Sequence, residues 1–184
     1  MSSASYSHLM SEPTESAIVV NVPVAEPVVG DLRKRLDEAA RWGVPAHVTV
    51  LYPFLPPAAI DDAVLAALGR AVSSVPRFTA EWTRTAWFDQ RVLWVAPNPA
   101  ESFRSLTAAV VREFPDYPPF NGQYDTVVPH LTVGNGAPLD DLLAAERIVA
   151  AQLPFSMPVT HVQVLAGTTV EGSWRLLAEI PLGP

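Results

Sequence analysis

A chain of 184 residues, 49% apolar and 17% charged, is long enough for one domain with an ample core; folding at this size buries roughly 70% of the unfolded surface. Nineteen acidic against twelve basic residues leave a formal charge of −7, which argues against long nucleic acid as a partner, because non-specific affinity for it rests on neutralising phosphates. Without cysteine there can be no disulfide, thiolate metal site or cysteine nucleophile, and no apolar run approaches a membrane span or a signal segment, so a soluble cytoplasmic protein is expected.

Residues 1–16, MSSASYSHLMSEPTES, are Ser-rich and lack hydrophobic period. They read as a disordered tail, or as an added leader ahead of a natural start at Met10, with one domain over 17–184. Ala17 to Val24 reads as a strand. A helix follows over 28–41, with Leu32, Leu36 and Ala39/Ala40 on one stripe. Gly43 ends it and Pro45 leads into a strand over 46–54, AHVTVLYPF. Asp61 and Asp62 open a helix to about Ser73, their charge placed at its positive end. Phe78–Trp87 and Arg91–Pro97 read as strands joined through Phe88-Asp89-Gln90. A helix over 100–114 and the loop PDYPPFNGQY (115–124) lead to a strand over 126–133. A helix over 139–153 and strands near 158–168 and 173–181 complete the chain. Strand, helix, strand, helix, strand thus occurs twice, which reads as an internal duplication with pseudo-twofold symmetry.

The two strands over 46–54 and 126–133 carry one motif: His47-Val48-Thr49-Val50 and His130-Leu131-Thr132-Val133. Side chains two apart on a strand share a face, so His47 points with Thr49 and His130 with Thr132, while the apolar residues face the other way. An imidazole that moves a proton near neutral pH then sits beside a hydroxyl that can donate to an anionic oxygen. Two such units facing each other make a metal-free acid/base site for a phosphate. One His-x-Thr alone would read as a hydrogen-bonded structural histidine; the pair carries the weight.

The paired motifs resemble the signature of the two-histidine (2H) phosphoesterase superfamily, and the chain looks most like its bacterial 2′-5′ RNA ligase-like branch. Phe88 with RVLWV (91–95) is similar to the middle hairpin of that family, and VQVLAGTTVEGSWRLLAEIPL, with Gly172 and Trp174, to its last hairpin; the likeness covers about residues 17–182. The resemblance implies a bilobal α+β fold, two antiparallel sheets lining a central cleft with helices outside. It implies hydrolysis of 2′,3′-cyclic phosphodiesters, of a nucleotide or an RNA end, to 2′-phosphates. His47 and His130 would be the catalytic pair and Thr49 and Thr132 the phosphate-holding hydroxyls, with no metal or other cofactor. Relatives commonly carry a basic residue just after the second motif, where this chain has Gly134-Asn135-Gly136. With the acidic charge, this points to a nucleotide-sized or other small ester.

For such an ester one neutral histidine takes a proton from water and one protonated histidine returns a proton to the departing sugar oxygen. The symmetry leaves open which is which. Tyr124, in the loop before the second motif, is a candidate to close over the ligand. Trp87 and Phe88 at the hairpin are candidates to stack on a base, or to pack between the lobes. Tyr52, on the face opposite His47, reads as core, and His161, followed by Val-Gln where a motif needs Thr, as structural. There is no H-E-x-x-H helix for a metal hydrolase and no G-x-S-x-G elbow for a serine hydrolase. The alternative from another class is a binding or sensing module that holds a nucleotide or phosphate ester in the same cleft without turnover.

Overall fold

The computed structural model describes residues 12–184. Eight strands form: Glu15–Asn21 (β1), His47–Leu51 (β2), Phe78–Phe88 (β3), Val92–Asn98 (β4), Leu131–Asn135 (β5), Phe155–Val159 (β6), His161–Gly167 (β7) and Arg175–Pro181 (β8). They make one sheet in the order β6-β3-β4-β5-β2-β1-β7-β8, antiparallel at every step. The expectation of a bilobal body with two sheets facing across a cleft is therefore corrected. The halves meet edge to edge, because the two motif strands pair directly through Val48 and Leu131. Two separate sheets would each leave an unpaired β-rich edge; joining them satisfies those backbone donors and acceptors.

Five helices accompany the sheet: Glu26–Leu36 (α1), Glu38–Arg41 (α2), Asp62–Val72 (α3), Ala100–Glu113 (α4) and Leu139–Ala150 (α5). The single helix expected over 28–41 is split by Asp37, which is extended (φ −136°, ψ 116°). Its carboxylate accepts from the Ala39 N–H and pairs with Arg33, so a local cap competes successfully with helix propagation. The strand expected over 158–168 is also two: β6 pairs with β3 and β7 with β1, on opposite arms of the sheet. β5 starts later than expected, at Leu131, since Pro129 has no N–H to give to a ladder.

One main core lies between the sheet and the helices, with Val48, Val50, Leu131 and Val133 buried in one cluster with Leu36, Leu106, Val110 and Leu142. α1 packs on β5 and α4 on β2, where Thr107 Oγ1 donates to the Val50 carbonyl at 2.9 Å. Gly134 is the contact point under the helices. A Cβ there would stand 2.5 Å from Leu142 and 2.9 Å from Leu36, so a side chain in this part of β5 would push α1 and α5 away. A second, smaller cluster of Ala17, Val19, Val44 and Leu165 is covered by Ala39, Tyr52 and Trp174. Tyr52 thus packs as core, its hydroxyl donating to Glu15 at 2.8 Å.

β1 begins at Glu15, and Ser16 is buried with its hydroxyl donating to the Leu55 carbonyl at 2.6 Å. The first strand therefore starts ahead of the boundary expected at residue 17. Residues 1–11 of the expected tail, including His8 and Met10, lie outside the described residues. No helix among the described residues is long and apolar enough to cross a membrane.

Candidate active site

The pairing of Val48 with Leu131, continued by one residue each way, sets His47 opposite Thr132 and Thr49 opposite His130. Directly opposed residues share a face of the sheet, so all four side chains rise from the same side. Burial agrees: His47, Thr49, His130 and Thr132 are half-buried, while Val48, Val50, Leu131 and Val133 are buried beneath. The histidines form a diagonal pair, which on an antiparallel ladder puts their backbones about 7–8 Å apart. That separation leaves room for one tetrahedral anion between two ring nitrogens.

Both rings are fixed by the same local bond. His47 Nδ1 lies 2.7 Å from the Pro45 carbonyl and His130 Nδ1 lies 2.7 Å from the Val128 carbonyl, in each case two residues back. A carbonyl can only accept, so each neutral ring carries its proton on Nδ1 and presents a bare Nε2. Burial, then the charge of Arg33, then His130 itself lower the His47 pKa to about 3, against the opposing pull of the Pro45 carbonyl. Burial also lowers the pKa of His130, and the bond to Val128 opposes it. In the ligand-free protein both rings are held neutral near pH 7.

The source of His130's burial is aromatic. Its ring meets Phe88 edge-on at 4.9 Å and Trp94 at 5.9 Å, and those two stack on each other at 4.8 Å. Beside it opens a cavity of about 770 Å³, lined by His130, Thr132, Trp87, Phe88, Phe120 and Tyr124 among others. The structure thus brings five of the seven sequence-derived site residues to one cavity. His47 and Thr49 are not in its lining; they join the other pair through the β2–β5 ladder. Trp87 is anchored, its indole N–H donating to Glu146 at 2.8 Å, whereas Tyr124 is 56% exposed and meets the Phe120 ring edge-on at 5.6 Å.

Several residues escaped the sequence reading. Arg91 and Asn135 line the cavity, and Arg91 has no carboxylate within salt-bridge range among the described residues. Asn21 pairs with His47 and Trp94 with Thr132, one strand out on either side of the four motif residues. Asn21 Oδ1 and Trp94 Nε1 are buried with no hydrogen-bond partner. Strand parity alone could not reveal them, since it needs the order β4-β5-β2-β1 and a register shift between Leu93 and Trp94. His161 sits on β7 between Glu179 (3.4 Å) and the Thr160 hydroxyl (3.0 Å), in keeping with a structural place. No group of three or more His, Asp or Glu side chains is placed to hold a metal ion among the described residues.

One antiparallel sheet whose central strands carry paired His-x-Thr units defines a two-histidine phosphoesterase-type protein. The family model described as the 2′-5′ RNA ligase superfamily matches residues 20–170, and the chain belongs to that superfamily. Among solved structures, the chain is similar to Escherichia coli LigT complexed with 3′-AMP (18% identity, 94% of this chain and 100% of that one, TM-score 0.56). The same protein complexed with phosphate gives 19% identity over 95% and 100%, with a TM-score of 0.56. A Thermus thermophilus protein gives 20% identity over 91% and 97%, with a TM-score of 0.61. At these identities the likeness is one of fold. No curated protein matches.

Proposed function

We propose that the protein is a metal-independent phosphodiesterase that opens a 2′,3′-cyclic phosphate, on a nucleotide or an RNA end, to a 2′-phosphate. The observation that carries this reading is the matched tautomer of the two rings: each gives its Nδ1–H to a carbonyl two residues back and keeps Nε2 for the shared face. Attack by water on phosphorus releases a proton, which one neutral Nε2 accepts. The P–O3′ bond breaks, and O3′ takes a proton from the Nε2–H of the other, protonated ring. Thr49 and Thr132 donate to the non-bridging oxygens, where negative charge accumulates. The Arg33 charge disfavours a second positive charge on His47 and is not among the influences on His130, which casts His47 as the base and His130 as the acid.

The substrate is nucleotide-sized. A cavity of about 770 Å³ falls in the usual range for a small-molecule site, and its aromatic walls suit a base, with Tyr124 the one exposed ring in position to cover it. E. coli LigT has been solved with 3′-AMP, NADP+, ATP and phosphate, ligands of the same chemical class. β1 flanks β2 as β4 flanks β5, with α1 crossing to β5 and α4 to β2, in support of an origin by internal duplication. A cysteine-free chain suits the reducing cytoplasm, where we place it.

The test is turnover of a panel of nucleoside 2′,3′-cyclic phosphates with EDTA present, products identified by 31P NMR. Formation of 2′-phosphates at an undiminished rate is expected. Tight binding by calorimetry without turnover would replace the enzyme with a binding module.

A further inference from the structure

Beside the backbone bonds from the Val44 N–H to the Ala39 carbonyl and from the Val22 N–H to the Ala46 carbonyl, each of the three residues that lead into β2 has one backbone atom held by a side chain. The Val44 carbonyl accepts from Arg33 Nη1 at 3.2 Å, the Pro45 carbonyl accepts the His47 Nδ1–H at 2.7 Å, and the Ala46 N–H donates to Glu26 Oε1 at 2.7 Å. Both outer holds come from α1. Glu26 and Arg33 are seven residues apart, two turns along one face of that helix. Arg33 is only 2% exposed and is braced by Asp37 at 3.0 Å. A buried guanidinium is costly unless well paired, and beyond Asp37 its one partner is the Val44 carbonyl, its Nε being left without any. The second motif has no counterpart. Among the described residues the only side chain that bonds the backbone of 128–130 is the His130 ring itself.

We propose that α1 is the positioning element of the site: Glu26 and Arg33 grip the chain on either side of Pro45, so that its carbonyl fixes the His47 ring and directs Nε2 toward the bound phosphate. Glu26 and Arg33 are positioning residues, acting through Val44–Ala46 and not on substrate. The consequence for turnover rests on the phosphodiesterase reading; the grip on the ring does not. Gly30 offers a way to loosen it without removing a charge. A Cβ at Gly30 would fall 2.7 Å from Glu26 Oε2, the far end of a flexible side chain, so Gly30→Ala displaces the carboxylate from Ala46 while raising helix propensity.

The experiment compares Glu26→Ala, Glu26→Gln, Gly30→Ala and Arg33→Lys in the full chain, by kinetics on a nucleoside 2′,3′-cyclic phosphate and by 15N NMR of the imidazole nitrogens. A loss of alignment at a reacting centre is expected to lower kcat about tenfold to a hundredfold in Glu26→Ala, Gly30→Ala and Arg33→Lys. KM stays within about twofold, because neither grip touches substrate. Glu26→Gln keeps an oxygen for the Ala46 N–H and recovers most of the loss. The His47 ring loses its exclusive Nδ1–H tautomer while His130 keeps its own. Gly30→Ala, which does not weaken the helix, separates this effect from unfolding. Wild-type kcat together with an unchanged His47 tautomer in Glu26→Ala and Gly30→Ala overturns the inference. If the wild-type protein turns over no cyclic phosphate, the phosphodiesterase reading fails, and the tautomer alone then upholds or overturns the grip.

Discussion

The two His-x-Thr strands have nearly the same sequence and opposite surroundings. The first is entered through a segment held by a buried arginine and a carboxylate of α1. The second is entered from a loop in which Phe120 and Asn121 hold left-handed backbone (φ 51° and 54°), and its histidine is walled by Phe88 and Trp94 beside an open cavity. A repeated motif therefore does not bring repeated surroundings. The ladder supplies symmetric placement, and the flanking elements set one ring near the charge of Arg33 and wall the other with aromatic rings beside the cavity. Burial lowers the proton affinity of both rings, and the Arg33 charge acts on His47 alone.

The harshest way to break the comparison is to remove either ring. His47→Ala and His130→Ala are each expected to lower kcat by about 10²–10⁴, the usual worth of a positioned acid or base. The double variant should be little worse than either single one, since the rings act as a unit. Thr49→Val and Thr132→Val should each cost about 10² through the lost hydroxyl donor. A single histidine variant that keeps near wild-type kcat, with its fold verified by circular dichroism, would remove that ring from the mechanism.

The pH dependence sharpens the same contrast. Both rings are depressed below the ordinary histidine value of 6.5, and turnover needs one of them protonated. kcat/KM is thus expected to rise as pH falls from 8 to below 6.5, and a profile with its optimum above pH 7 would contradict the depressed rings. Stability runs the other way. A ring whose folded pKa is about 3 binds fewer protons than in the unfolded chain, so its contribution is intact above 6.5 and is lost progressively as pH falls toward 3. Tm should decline over that window, and less steeply in His47→Asn. Phe88→Ala, which opens His130 to water, should move the alkaline limb of kcat/KM upward and leave the acid limb, set by His47, in place.

What the chain disclosed in advance follows from the range of its signals. Period-two alternation is a property of a single strand, so His47 with Thr49 and His130 with Thr132 can be placed on one face each without a structure. Which strands are neighbours depends on pairings far apart in sequence. Sequence accordingly suggests halves that face across a cleft, whereas Val48 meets Leu131 in one ladder. The same limit hides Trp94 and Asn21, which reach the site only through strand order. It hides Arg33 as well, whose neighbours Lys34 and Arg35 are exposed and which looks in sequence like one more charge on a solvated helix face. The split at Asp37 is a local contest between helix propensity and a side-chain cap, and a stripe of apolar residues does not decide it.

The smallest expected effect concerns the loop side of the comparison, where Tyr124 is half out in solvent and meets the Phe120 ring edge-on. Its hydroxyl has no protein partner among the described hydrogen bonds, and the ring stands at the cavity beside His130 and Thr132, so its natural use is contact with the base. Stacking of a base on an aromatic ring is worth about 1–3 kcal/mol when the ring is truncated, and an exposed ring belongs at the low end of that range. Tyr124→Ala should therefore raise KM about five- to tenfold with kcat within about twofold, whereas Tyr124→Phe should stay near wild type, since the face and not the hydroxyl makes the contact. The discriminating measurement is the same pair of variants on a cyclic phosphate of ribose lacking the base. There the Tyr124→Ala effect on KM should vanish. An equal effect on the base-free ester would assign the residue to the phosphate side of the site, and would move the substrate's base out of the aromatic cavity.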